Sequence, residues 1–304
     1  MVAIAGVPVI TGMFGGYGST KAWKLAGIVF GAIQIVFAVF VVLALKKKDV
    51  TENYMKLEAA KKPKLKDFVS IFKTNRALQM LIVAASTNKI TQTMHSGLTV
   101  LFYFYVVGDS AMQTTASFLS MPVMILAMFL MIPIINKYGR KETFTFSSWG
   151  GFIFGLLAIY LITLNPSSLL WVVAIVVINL LLTTGAGDIN VISMIADSAD
   201  YEYYKNGRFV PGMIGTSFSF IDKIISSFGT LIIGAILTGI GFVSVTETAA
   251  SPTMFWAVAA MYFGFPAIGH LCSIIGMKYY PLDKKSHEKM LVELAERDKA
   301  RNEA

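Results

Sequence analysis

The sequence has one cysteine, few acids and little charge of any kind, and each shortage removes a class of function. Cys272 stands alone in an apolar stretch, so neither a disulfide framework nor a cysteine-rich metal site can be built around it. Only 14% of the 304 residues are Asp, Glu, Lys or Arg, against 55% hydrophobic residues, and the mean hydropathy is +0.65. A soluble domain of this size cannot be so apolar. No nucleophile–base pair, phosphate-binding loop or metal-ligand spacing occurs, which leaves nothing on which to base an enzyme and no metal site or organic cofactor to expect. Low-complexity segments and evident internal repeats are also missing.

What the chain does have is long apolar runs. A bilayer core needs about 20 mostly apolar residues per helical span, and seven stretches reach that length: 25–45, 77–106, 113–135, 143–163, 168–196, 213–243 and 253–280. An eighth, MVAIAGVPVITGMF over 1–14, is too short to cross, is closed by GGYGST, and lacks the basic start of a signal peptide. The pattern predicts an all-α polytopic membrane protein with about seven transmembrane helices plus the end of another. The lysines and arginines then orient it. Ten fall in 46–76, three in 136–142, two in 196–212 and seven in 278–304, with none in 107–113, 164–169 or 243–252. By the positive-inside rule the basic segments and the C-terminus are expected in the cytoplasm of a cell membrane, with Lys21 and Lys24 as a mild exception. Basic charge distributed in this way answers to a lipid bilayer and not to nucleic acid.

The segment 46–76 reads as a cytoplasmic linker between two bundles. The tail after 280 reads as an amphipathic helix with Met290, Leu291 and Leu294 on one side and Glu293 four residues before Arg297.

Ionisable residues inside a membrane cost about 2.5–3.5 kcal/mol each on insertion scales and usually face a cavity or a partner. Four lie deep here. Lys89 sits in a polar run, STNKITQTMHSG, where Ser86, Asn88, Gln92 and His95 accompany it. Such a run either lines a hydrated site or pairs with neighbouring helices. Asp222 and Lys223 are consecutive and on a helix point about 100° apart, so they cannot pair with each other; Ser219 shares the face of Lys223. Snorkelling of Lys223 over about 15–18 Å of helix is the plainer alternative. Asp188, preceded by Gly185 and Gly187, reads as an acceptor for a polar solute, as the counter-ion of Lys223, or as a protonated acid bonded to a carbonyl. Gln92, Asp188, Ser219, Asp222, Lys223 and Lys89 therefore form the candidate binding set.

Between two apolar stretches lies MIADSADYEYYKNGRFVPG, residues 194–212. It reads as the end of one span, a loop and the start of the next, in which Asp197, Asp200, Tyr201, Glu202, Lys205 and Arg208 form a cytoplasmic gate of weak, exchangeable ion pairs; a merely solvated loop is the alternative. This run, the glycines and serines of PGMIGTSFSF, the lysine of FIDK and the glycines of FGTLIIGAILTGIGF resemble the region around helices ten and eleven of the glycoside–pentoside–hexuronide:cation symporters, the melibiose permease family. Ala196, Asp197, Asp200, Tyr201, Lys205, Gly207 and Arg208 carry its most specific part. YFYVVGDS at 103–110, PIINKYGRK at 133–141 and YYPLDKKSHEKMLVEL near the end support it.

The resemblance implies the major facilitator fold, twelve helices in two bundles of six. By order, the seven spans resemble helices six to twelve and residues 1–14 the end of helix five. It divides the chain into 1–45 (end of an N-terminal bundle), 46–76 (linker), 77–280 (six-helix C-terminal bundle) and 281–304 (tail). It implies a sugar:cation symporter working by alternating access with Na⁺ or H⁺, a sugar or glycoside as substrate, and Lys223 as the family's cavity-facing lysine. The family's cation-binding acids would lie in helices outside this chain, so a missing N-terminal half is an expected partner and the chain alone is expected not to transport. A reading of another class is a half-length membrane sensor or assembly subunit that binds a solute without moving it.

Overall fold

The computed structural model describes residues 10, 13–14, 19–46, 65–109, 112–245 and 247–303. Most of the short first stretch and residues 47–64 of the linker lie outside the described residues. The chain divides into two compact units, Met1–Pro63 and Lys64–Ala304.

The first unit contains helix α1, Thr20–Leu45, started by the Ser19 hydroxyl, which accepts a hydrogen bond from the Ala22 amide at 3.3 Å. Val36, Phe37, Phe40 and Val42 along it are exposed, as befits a helix meant to meet lipid.

In the second unit α2 is Leu65–Thr74, α3 Arg76–Leu101, α4 Met112–Tyr138, α5 Arg140–Leu164, α6 Leu169–Thr183, α7 Asp188–Asn206, α8 Pro211–Gly239, α9 Pro252–Ala259, α10 Phe265–Tyr279 and α11 Lys284–Glu303. A wide π turn, Phe102–Val107, prolongs α3, and another, Ala260–Gly264, joins α9 to α10. These two turns meet. Phe102 stacks on Tyr262 at 4.2 Å and Tyr262 on His95 at 4.7 Å, in the middle of an aromatic core.

Six helical stretches among the described residues, two of them composite, are long and apolar enough to cross a membrane: Thr20–Leu45, Met112–Tyr138, Arg140–Leu164, Leu169–Asn206, Pro211–Gly239 and Pro252–Tyr279. The span expected over 77–106 is helical but falls short on composition because of its polar run. Its surroundings explain this. Helix α3 packs against α8, α10 and α7, and Ser86, Asn88 and Thr91 are buried among them. Glycines bring α10 close: a Cβ on Gly276 would lie 3.0 Å from Ala84, and one on Gly269 would lie 3.1 Å from the Thr87 carbonyl. From α10 the packing continues to α5, then α6, then α4. A central helix can be polar because it does not face lipid.

The span expected over 168–196 is not continuous. It breaks into α6, a single tight turn Thr184–Ala186, and α7. The segment 197–208, expected as a loop, is helical to Asn206, where Gly207 takes a left-handed conformation (φ 66°) and ends it. In the tail, Met290 and Leu294 are buried, one helical turn apart, whereas Leu291 is rotated about 100° away and exposed.

Candidate functional site

The break between α6 and α7 frees carbonyls that no water in a hydrocarbon layer can satisfy. Two buried asparagines satisfy them. Asn88 of α3 donates to the Ala186 carbonyl at 2.8 Å, and Asn190 of α7 donates to those of Gly185 and Arg140, both at 2.9 Å. Gly185 is pressed so closely on Ser147 and Thr143 of α5 that only glycine fits. The broken helix is thus a built feature, held from α3, α5 and α7.

Asp188 is the first residue of α7, where the helix dipole favours an acid. Lys89 reaches it with Nζ 3.2 Å from Oδ1 and 3.4 Å from Oδ2, and also donates to the Gln92 Oε1 at 3.1 Å. The pair is open on one side: the Asp188 side chain is 66% exposed and that of Lys89 31%. Lys89 therefore contacts both Gln92 and Asp188, all three expected at the site. Of the readings left open for Asp188, an ion pair is present, but its partner is Lys89 and not Lys223, because α3 lies beside the break. Lys223 and Ser219 are exposed on α8. Asp222 does not share their face; it is buried toward Ser86 of α3, within electrostatic range of Lys89, Lys223 and Asp188.

At the basic end, the acids of 197–208 do not form one weak cluster. They divide between two buried centres, since Asp197 and Glu202 leave α7 on different sides. Asp197 receives Arg140 of α5 and lies 3.1 Å from the His287 ring of α11. Asp200 is close to this group. Tyr280 packs beside it, where burial pushes its phenol up and the Asp197 charge adds to the effect. A cavity of about 140 Å³ opens here, between Asn136, Gly139, Arg140, Asp197, Lys284 and His287. Glu202 has no exposed surface. It is paired with Arg208 and accepts from Asn75 at 3.2 Å and Asn206 at 3.0 Å. Arg208 continues to Ser70 and Thr74 of α2, each at 3.3 Å. Lys205 lies over the rings of Tyr201 and Tyr204. In place of the expected Glu293 to Arg297 pair, Glu293 lies 3.7 Å from Lys289 one turn earlier and accepts from Tyr204 of α7 at 2.6 Å, while Arg297 donates to the Tyr204 carbonyl.

Among the described residues no group of three or more His, Cys, Asp or Glu could hold a metal ion. The open polar residues can donate to and accept from hydroxyl groups, and they span both charges.

Discontinuous helices of this kind occur at the binding sites of transporters, and the comparison with known families is consistent with that. The profile of the family described as MFS/sugar transport protein matches residues 1–284. The chain belongs to that family, and it is a multi-pass membrane protein. Similar proteins include the isoprimeverose transporter of Lactiplantibacillus pentosus, 27% identical over 95% of this chain and 58% of the relative. The glucuronide carrier protein homolog of Escherichia coli K12 is 23% identical over 90% and 58%. The lactose permease of Leuconostoc lactis is 23% identical over 90% and 42%. The chain spans about half the length of the curated relatives it matches.

Several residues of this family member escaped the sequence reading. Asn190, Asn75, Arg140 and His287 are single polar residues whose partners lie far along the chain, and nothing local marks them; Asn88 was visible in the polar run, but its partner at the break was not. The break itself had a signal, TTGAGD, with two glycines before an acid at a position suited to starting a helix.

Proposed function

We propose that this chain forms part of a sugar:cation symporter of the glycoside–pentoside–hexuronide type. The observation that carries the reading is the half-open Lys89–Asp188 pair with Gln92 at the broken helix, since discontinuous helices near the midplane are where transporters bind solutes. Lys89, Asp188 and Gln92 hydrogen-bond sugar hydroxyls, with Ser219 and Lys223 joining from α8. Two bundles rock around this site in alternating access, and Na⁺ or H⁺ drives uptake. The second bundle and most of the cation site come from helices other than those of this chain. The protein resides in the cell membrane with its basic segments and C-terminus in the cytoplasm. The names of the relatives point to glycosides, pentose-containing sugars and uronides as the compounds to try first.

The test uses the purified chain in lipid nanodiscs. A sugar that binds the folded state raises the unfolding midpoint by mass action. A panel of xylosides, galactosides and glucuronides is expected to contain one that does so, with the effect abolished in Lys89→Gln. No shift with any of them, or an undiminished shift in the variant, overturns the site. In vesicles the chain alone is expected to bind without accumulating sugar; cation-driven uptake by it alone would show that no second bundle is needed.

A further inference from the structure

The buried residues of α8 form a stripe, Ile214, Ser217, Phe218, Asp222, Gly229, Ile233 and Leu237, at the spacing of a helix packed along one side. Its register on α3 is tight. A Cβ on Gly229 would lie 3.3 Å from the Ile90 carbonyl, and Ile233 approaches Gly97 to within 3.1 Å of a Cβ there. Asp222 is the one ionisable group in the stripe. It occupies a place where an apolar side chain would serve packing better, and it is 8% exposed.

Among the described residues the nearby cations, Lys89 and Lys223, act on it from a distance and not as ion-pair partners. On α3 it faces Ser86, whose buried hydroxyl oxygen has no hydrogen-bond partner among the described residues. Lys89, one turn further along α3, is committed to Asp188 and Gln92. Lys223 follows Asp222 in the chain and is turned about 100° to the exposed side. Asp188 of α7 is a second acid within range. A carboxylate held in a membrane interior without a contacting cation is too costly to keep charged, and the inexpensive remedy is a proton.

We infer that Asp222 is a proton-binding site within this bundle, its carboxyl held as an O–H group that faces the Ser86 oxygen while α8 is packed on α3. The carboxylate takes one proton from water and becomes the neutral acid; nothing else is consumed or released. The site is separate from the Lys89–Asp188 pair, and it stands whether or not that pair binds a sugar.

Infrared spectroscopy of the chain in nanodiscs tests this without any substrate. At neutral pH the wild-type chain is expected to show the C=O stretch of a protonated carboxyl, shifted in D₂O. Asp222→Asn should lack the band and Asp188→Asn should keep it. Ser86→Ala, which leaves the acid in place and removes the oxygen it faces, should move the band to the frequency of a freer carboxyl. Asp222→Glu should retain a band at neutral pH, which covers the case in which the asparagine variant does not fold. Absence of the band in the wild type, or its survival in a folded Asp222→Asn, would overturn the assignment.

Discussion

Replacing Asn75 with alanine decides whether the basic end is a set of weak, exchangeable contacts or a fixed anchor. Asn75 has no exposed surface and sits between α2 and α3. Its Oδ1 caps α3 by accepting from the Leu78 amide at 2.9 Å, and its Nδ2 donates to the Ser198 carbonyl at 2.8 Å and to the buried Glu202. Loss of an N-cap costs about 1 kcal/mol. Loss of a hydrogen bond to a buried charged group costs roughly 2 kcal/mol more. Arg208 and Asn206 remain on Glu202, so the effect should stay at about 3 kcal/mol, short of the cost of stripping an ion-pair partner. At 2–4 °C per kcal/mol for a unit of this size, the midpoint should fall by roughly 6–12 °C. Cys272 provides the assay, because the chain's only thiol is half-buried in α10 and reacts with a fluorogenic dye as the bundle opens. Asn75→Ser keeps the cap alone and should fall in between. Asn75→Asp keeps the cap but sets a second carboxylate against Glu202, and should be worse than alanine. A fall of under about 2 °C in Asn75→Ala would return the segment to the weak pairs of a solvated surface, worth about 0–1 kcal/mol each.

Three further outcomes follow from the same geometry. Gly185→Ala should destabilise the bundle by about 1–3 kcal/mol, because the new Cβ runs into Ser147 and Thr143; adding Ser147→Ala should recover part of the lost midpoint. The Ser286 amide and hydroxyl hold Asp283 below its ordinary carboxylate range, and the Tyr204 hydroxyl does the same for Glu293. Both lowered groups stabilise the docked tail above the unfolded values near about 4 and lose that effect as pH falls through the folded ones, so the protection of amides in 284–296, measured against the intrinsic exchange rate at each pH, should fall on acidification, with a smaller response in Asp283→Asn. Single cysteines in a Cys272→Ala background should label from one side of sealed vesicles at 205 and 285 and from the other at 166 and 250; labelling of all four from one side would refute the orientation.

Helical spans and the family were legible in sequence because they rest on local quantities. A run of apolar residues long enough to cross a bilayer is a property of composition, and a string such as Asp197, Asp200, Tyr201, Lys205 and Arg208 can be read in order. The polar run around Lys89 was also visible, and its mere presence requires a helix that does not face lipid. Tertiary structure decided which groups meet. Lys89 and Asp188 are 99 residues apart, and their pairing depends on α3 lying beside the break, a neighbourhood that no local pattern discloses. Asp197 and Glu202 share one helix and one polar segment, yet the rotation of about 100° per residue sends them to different partners, Arg140 and His287 for one and Arg208 and Asn75 for the other. Asp222 and Lys223 show the division most plainly: their adjacency in the chain ensured that they would part, and only the packing of α8 on α3 determined which of the two would be buried.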